Sequence, residues 1–132
     1  MKVIILGCGR AGAYLAKMLA TEGHQMTIID KERTAFDRLG SFPGTTVVGT
    51  GIDEDVLREA GIEDVDAFVA ITNGDNTNVM AAQVAREVFG VPRVVCRIYD
   101  PLRAEIYREL GLEVICSTLW AACAIKDFLG RK

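Results

Sequence analysis

Short apolar runs alternate along this chain with segments whose apolar residues recur every three or four positions. The runs cover residues 3–6, 26–29, 45–48, 67–71, 93–98 and 112–115, and each predicts a short strand. Residues 67–71 are apolar without a break, the pattern of a strand covered on both faces of a parallel sheet. Between the runs lie helical patterns with readable ends. Leu15, Met18 and Leu19 share one helix face, and Gly23 stands as the left-handed cap beyond it. Asp30-Lys31-Glu32-Arg33 opens a short polar helix that carries Phe36 and Leu39 inward. Asp53-Glu54-Asp55 suits a helix N-terminus, and Gly61 its end. A further helix runs to Val88 and is broken by Gly90-Val91-Pro92. Asp100-Pro101 pairs an N-cap with proline at the first helical position, Gly111 ends that helix, and residues 119–129 form the last one. Strand–helix alternation throughout predicts an α/β, Rossmann-like doubly wound parallel sheet of six strands, in the order 3-2-1-4-5-6. Residues 1–132 read as a single dinucleotide-binding domain.

The junction between the first strand and first helix carries the chemistry. Gly7-Cys8-Gly9-Arg10-Ala11-Gly12 has the spacing of a tight turn, a close phosphate approach and a close helix–strand contact, one glycine for each. The helix N-terminus then offers free N–H groups and a positive dipole end to a pyrophosphate. The second run ends in Asp30, placed to accept hydrogen bonds from a ribose diol. Cys8 beside that helix end is a candidate redox-sensitive thiol, although a small side chain filling a tight loop explains it more simply. Between the fourth strand and its helix, Thr72-Asn73-Gly74-Asp75-Asn76-Thr77-Asn78 holds more hydrogen-bonding side chains than a cap requires. In a doubly wound sheet that loop faces the glycine turn across the switch point, which predicts ligand contact.

Composition narrows the choice. Half of the 132 residues are apolar and a quarter are charged, as in a soluble globular domain. The longest apolar run, residues 119–125, is too short to span a bilayer, and the N-terminus runs straight into the first strand without a signal-peptide pattern. A net charge of −3 with no long Lys/Arg run argues against nucleic acid as a partner. Cys8, Cys96, Cys116 and Cys123 form no Cys-x-x-Cys pair and His24 is the only histidine, so no metal site is expected and the thiols read as free.

With these residues in place the chain resembles the N-terminal nucleotide-binding domain, RCK-N or KTN, of the Trk/Ktr potassium-uptake regulators. The resemblance rests on Gly7-Cys8-Gly9-Arg10-Ala11-Gly12, Gly23-His24, Ile28-Ile29-Asp30-Lys31 and Leu57-Arg58-Glu59-Ala60-Gly61-Ile62. It continues through Ile71-Thr72-Asn73-Gly74-Asp75-Asn76-Thr77-Asn78, Val91-Pro92-Arg93-Val94 and Arg97-Ile98-Tyr99-Asp100-Pro101. It implies a cytoplasmic regulator at the inner face of the membrane, held there by a membrane-embedded potassium transporter or channel subunit and not itself inserted. The cofactor implied is NAD(H) or an adenine nucleotide (ATP, ADP or AMP), and the assembly a homo-oligomer, a dimer or an octameric ring. By motif match Gly7, Gly9, Arg10 and Gly12 hold phosphates and Asp30 the ribose, with Thr72 and Asn73 across the cleft. The full set of implied contacts adds Cys8, Ala11, Lys31, Thr50, Gly51, Asn78 and Arg97. Two places depart from the family. Gly49-Thr50 stands where Gly-Asp is common, and Ser117-Thr118-Leu119 stands where members that hold a metal beside ATP carry Pro-Glu.

Two other functions fit the same fold. An NAD-dependent oxidoreductase needs a substrate pocket and a proton donor; only Tyr99 is placed to donate, and the expectation is that the chain is not an enzyme. A regulatory domain of a different potassium antiporter is the third reading. Residues 119–125 show no polar stripe, so a helix there needs cover on both sides. Its own domain is expected to cover one side and a second subunit the other, with Trp120 and Phe128 as anchors.

Overall fold

The computed structural model describes residues 1–132. Six parallel strands, β1 (Lys2–Leu6), β2 (Gln25–Asp30), β3 (Thr45–Val48), β4 (Ala67–Ala70), β5 (Arg93–Arg97) and β6 (Glu113–Ile115), pair in the order β3-β2-β1-β4-β5-β6. The expected fold is therefore the observed one. The order reverses between β1 and β4, where Leu6 pairs with Ala70 and the chain leaves in opposite directions on either side. The helices are α1 (Arg10–Thr21), α2 (Glu54–Glu59), α3 (Asp75–Gln83), α4 (Pro101–Glu109) and α5 (Ser117–Leu129). The polar segment after β2 is a 3-10 helix, Arg33–Leu39, and α3 continues as a π-helical turn, Val84–Val88.

The predicted caps are in place. Asp53 accepts from the N–H groups of Asp55 and Val56, Asp100 accepts from that of Leu102, and Gly23 and Gly61 take φ of 92° and 88°. Alternation along the strands sorts the core into two layers. Ile4, Leu6, Ile29, Phe68 and Cys96 face α2, α3 and α4, while Val3, Ile5 and Ile28 face α1 and the 3-10 segment. Full burial of side chains such as Phe68, Ile4, Ile28 and Leu57 contributes about 1.5–3 kcal/mol apiece.

Two expectations fail on one face of the sheet. β4 is not covered on both faces: Phe68 and Ala70 are buried, but Ala67 and Val69 are only half-buried. They line an open apolar groove of about 480 Å³ with Val95, Ile115, Leu15 and Leu19. The helix that would close it, α5, stands clear instead. None of its residues is buried, and only Trp120, itself 62% exposed, reaches the groove's edge. The domain thus covers neither side of a helix expected to have one side covered; α5 follows β6, the edge strand of the sheet.

Candidate functional site

The glycine turn closes on itself through contacts that only hydrogen allows. Gly7 has φ 112°, and a Cβ there would lie 2.7 Å from Ile71 O. A Cβ on Gly12 would lie 1.9 Å from Gly7 O, which seats α1 directly against the turn. Gly9 is different: nothing lies within 4 Å of where its Cβ would be. That open space sits before the N-terminus of α1. Ala13 is the first residue of α1 to donate within it, to Gly9 O at 2.9 Å, so the N–H groups of Arg10, Ala11 and Gly12 have no protein acceptor. No side chain caps this end, and no acid lies in its first turn. Arg10 and Ala11 are exposed there, and Arg10 takes part in none of the ion pairs. A positive helix end with three free donors and a guanidinium beside it is built to receive an anion.

Asp30, at the end of β2, fixes the turn from the other side. Its Oδ2 accepts the Cys8 N–H at 2.8 Å and its Oδ1 the Glu32 N–H at 2.8 Å. Each oxygen keeps a lone pair free to accept a further hydrogen bond. The backbone donor of Cys8 is therefore already engaged. Its side chain is wholly buried with Sγ donating to Ala35 O at 3.3 Å, so Cys8 shapes the turn and offers nothing to a ligand. Burial, and next the charge of Asp30, push the Cys8 thiol up. This agrees with the simpler reading of Cys8 as a small side chain filling a tight loop and not with a redox-sensitive thiol, because the Sγ lies inside the core and not in front of the N–H groups. Lys31 is exposed one residue past Asp30, and Thr50 is exposed after β3. Gly51 is buried, and a Cβ on it would meet Leu6 Cδ2 at 2.1 Å, so it lets the β3 loop close over β1 without itself facing the cleft. Arg38, which the sequence did not single out, reaches back with Nη1 3.5 Å from Cys8 O.

Across the switch point, Thr72 and Asn73 lie in the loop between β4 and α3, Thr72 half-buried and Asn73 exposed. Asn78 was grouped with them as a ligand contact, and the structure places it otherwise. It is the one buried polar residue, and all its side-chain bonding is internal. Oδ1 accepts from Thr72 N at 2.9 Å and from Thr72 Oγ1 at 2.7 Å, while Nδ2 donates to Thr72 O at 3.0 Å and Arg97 O at 2.8 Å. Asn78 thus holds Thr72 in place and ties β4 to β5. Arg97 lies behind the same loop, Nη2 donating to Thr72 O at 3.0 Å and Ile71 O at 3.3 Å. Asp75 joins the start of α3 to that of α4, accepting from Tyr99 N at 2.8 Å and Asp100 N at 3.3 Å. No cluster of three metal-ligating side chains exists.

The comparisons with known proteins agree on the fold. The family model of the TrkA-N domain matches residues 3–118. The Trk system potassium uptake protein TrkA of Streptomyces coelicolor is 52% identical over 123 residues, which are 92% of this chain and 55% of that protein. The chain spans about half the length of such relatives. Among solved structures, the AMP-bound Kef CTD of Shewanella denitrificans superposes with a TM-score of 0.85 at 22% identity, covering 100% of this chain and 84% of that one. ADP-bound GsuK superposes with a TM-score of 0.83 at 22% identity, covering 98% of this chain and 34% of that one.

Proposed function

We propose, because the chain belongs to the TrkA-N domain family, that it is the nucleotide-sensing part of a regulator of potassium uptake. It binds NAD(H) or an adenine nucleotide at the switch-point cleft and controls ion flux through a membrane-embedded transporter or channel subunit. One observation carries the ligand class: acceptor-free N–H groups at Arg10, Ala11 and Gly12 open onto the empty space at Gly9, with the Asp30 carboxylate alongside. Phosphates on the N–H groups and a ribose on Asp30 match those two features. The AMP and ADP of the structural neighbours named above support the same ligand class. Arg10, Thr50, Thr72 and Asn73 line the phosphate and nucleoside ends, and Lys31 flanks the ribose. The chain is a binding module and not an enzyme: the Tyr99 hydroxyl, the one candidate proton donor, is directed to Asn73 Oδ1 at 3.5 Å. No helix is long and apolar enough to cross a membrane, in keeping with a cytoplasmic domain docked on its membrane partner.

The carboxylate of Asp30 makes the ligand preference testable. A 2′-phosphate would bring like charge to it, which at short range in a partly buried site costs at least about 1.4 kcal/mol, or tenfold in affinity. Calorimetric titration is expected to show NADH binding at least about tenfold more tightly than NADPH. Asp30→Asn, which keeps an acceptor and removes the charge, should narrow that gap. Equal affinity of the unaltered protein for both dinucleotides would overturn the assignment of Asp30.

Assembly follows from the two uncovered apolar surfaces. Leu119, Trp120, Ile125, Phe128 and Leu129 are 38–74% exposed on α5, and the groove over β4–β6 is open. A second copy's α5 supplies the apolar cover that the groove lacks, and a homo-oligomer results. Light scattering at micromolar concentration is expected to show a dimer or larger species, and Ile125→Glu with Phe128→Glu a monomer. A monomeric unaltered chain would contradict this assembly.

A further inference from the structure

Arg97 is in an unusual position for a cation. It ends β5 at the sheet edge where the nucleotide reading places the ligand, yet it also lines the groove at whose edge Trp120 stands. None of the ion pairs in the chain includes it. Its charge is met only by the carbonyls of Ile71 and Thr72 at Nη2 and by the face of the Tyr99 ring, 4.6 Å from the guanidinium carbon. Its Nε is buried with no partner, a cost that a fixed structural arginine would ordinarily avoid. A guanidinium with an idle buried donor and no carboxylate has two places to put its charge. It can sit on the carbonyls of Ile71 and Thr72 in the loop after β4, as here, or turn toward an anion that arrives in front of Thr72.

We propose that Arg97 is the positioning residue that carries nucleotide occupancy from the cleft to α5. The proposal rests on the nucleotide reading of the cleft. In one arrangement Arg97 pins the loop after β4 through the Ile71 and Thr72 carbonyls, and its side chain lines the same groove as Trp120. An anionic ligand against Thr72 and Asn73 draws the guanidinium, the carbonyl contacts loosen, and the stem moves under the indole. Asn78 makes the movement local: it holds Thr72 and the Arg97 carbonyl together, so the Arg97 backbone stays and only its side chain changes place. Both arrangements use the same donors, which is the two-state element such coupling needs.

Trp120 is the only tryptophan, so all tryptophan emission comes from α5, at the groove's edge and at any contact α5 makes with a second copy. The full chain is titrated with ADP, with binding heat followed in one experiment and tryptophan emission excited at the red edge in another. The expected result is binding heat together with a saturable emission change at matching ADP concentration. Arg97→Met keeps the stem and removes the charge; it is expected to bind ADP more weakly and, even at saturating ADP, to lose the emission change. Arg97→Lys keeps the charge without the planar fork and should give a reduced change, which serves as the readout if the methionine variant does not fold. Binding heat without any emission change in the unaltered protein would overturn the coupling, as would an Arg97→Met or Arg97→Lys protein that responds fully. Absence of binding heat with ADP, AMP and NADH alike would overturn the nucleotide reading itself, and the coupling with it.

Discussion

Gly12→Ala is expected to cost about 3 kcal/mol or more and to lower the melting temperature by more than about 10 °C. The added Cβ would lie 1.9 Å from Gly7 O and 3.1 Å from Gly7 C, both backbone atoms. Neither can yield, since Gly7 N is itself bonded to Ile29 O at 2.8 Å and Asp30 holds the next N–H. Helix α1 must then lift from the sheet, and Ala13 and Ala16, buried to 3% and 0% exposure, lose their contacts with β1 and β2. Gly9→Ala is the matched control. Its φ of −77° is ordinary for any L-residue and its Cβ meets nothing, so the melt should stay within about 0.5 kcal/mol of the unaltered protein. Yet that methyl occupies the space a phosphate would fill, and nucleotide binding should fall sharply. Thermal unfolding by circular dichroism and calorimetry on both variants separate the two roles. A Gly12→Ala protein that melts like the unaltered one would refute the tight seat of α1.

Asn78→Ala is expected to destabilise the domain by about 3 kcal/mol and to loosen Thr72. The substitution leaves Thr72 N and Arg97 O without their Asn78 partner in a part-buried place, and Thr72 O with the Arg97 Nη2 donor only. Each orphaned buried group costs about 1–3 kcal/mol, and water entering the gap recovers part of that. Asn78→Asp is nearly isosteric but loses the two Nδ2 donors and adds a charge at a site with no exposure, so it should rescue nothing. Urea unfolding gives the stability change. Faster amide exchange confined to Thr72 and its neighbours would show that the loop, and not only the core, depends on Asn78. An Asn78→Ala protein with unaltered stability and unaltered Thr72 exchange would contradict this role.

The strand order, the glycine turn and Asp30 were legible because each is written in local sequence. Apolar runs mark parallel strands, glycine spacing marks the turn, and an acid closes the second run. The caps at Asp53, Asp100, Gly23 and Gly61 are equally local. The role of Asn78 was not. Asp75, Asn76, Thr77 and Asn78 are successive polar residues on one helical turn, about 100° apart, and only the packing of α3 on β4 and β5 decides which points inward. Cys8 left two readings open for a related reason: nearness to a helix end in sequence does not say on which side of the turn the sulfur lies. The half-open face of β4 was hidden because an apolar run looks the same whether its own chain or another covers it. Helix α5 poses the same problem. Its apolarity announces a need for cover, while the direction in which it leaves β6 is set by the sheet's rim.

The most direct test of the nucleotide site is residue-resolved amide exchange across Gly9, Arg10, Ala11 and Gly12, with and without ADP. The N–H groups of Arg10, Ala11 and Gly12 have no acceptor in the protein, so they should exchange rapidly in the free chain and be slowed when phosphates take them up. Exchange at these residues that is unchanged at saturating ADP, with the rest of the spectrum intact, would contradict a phosphate seat at this helix end.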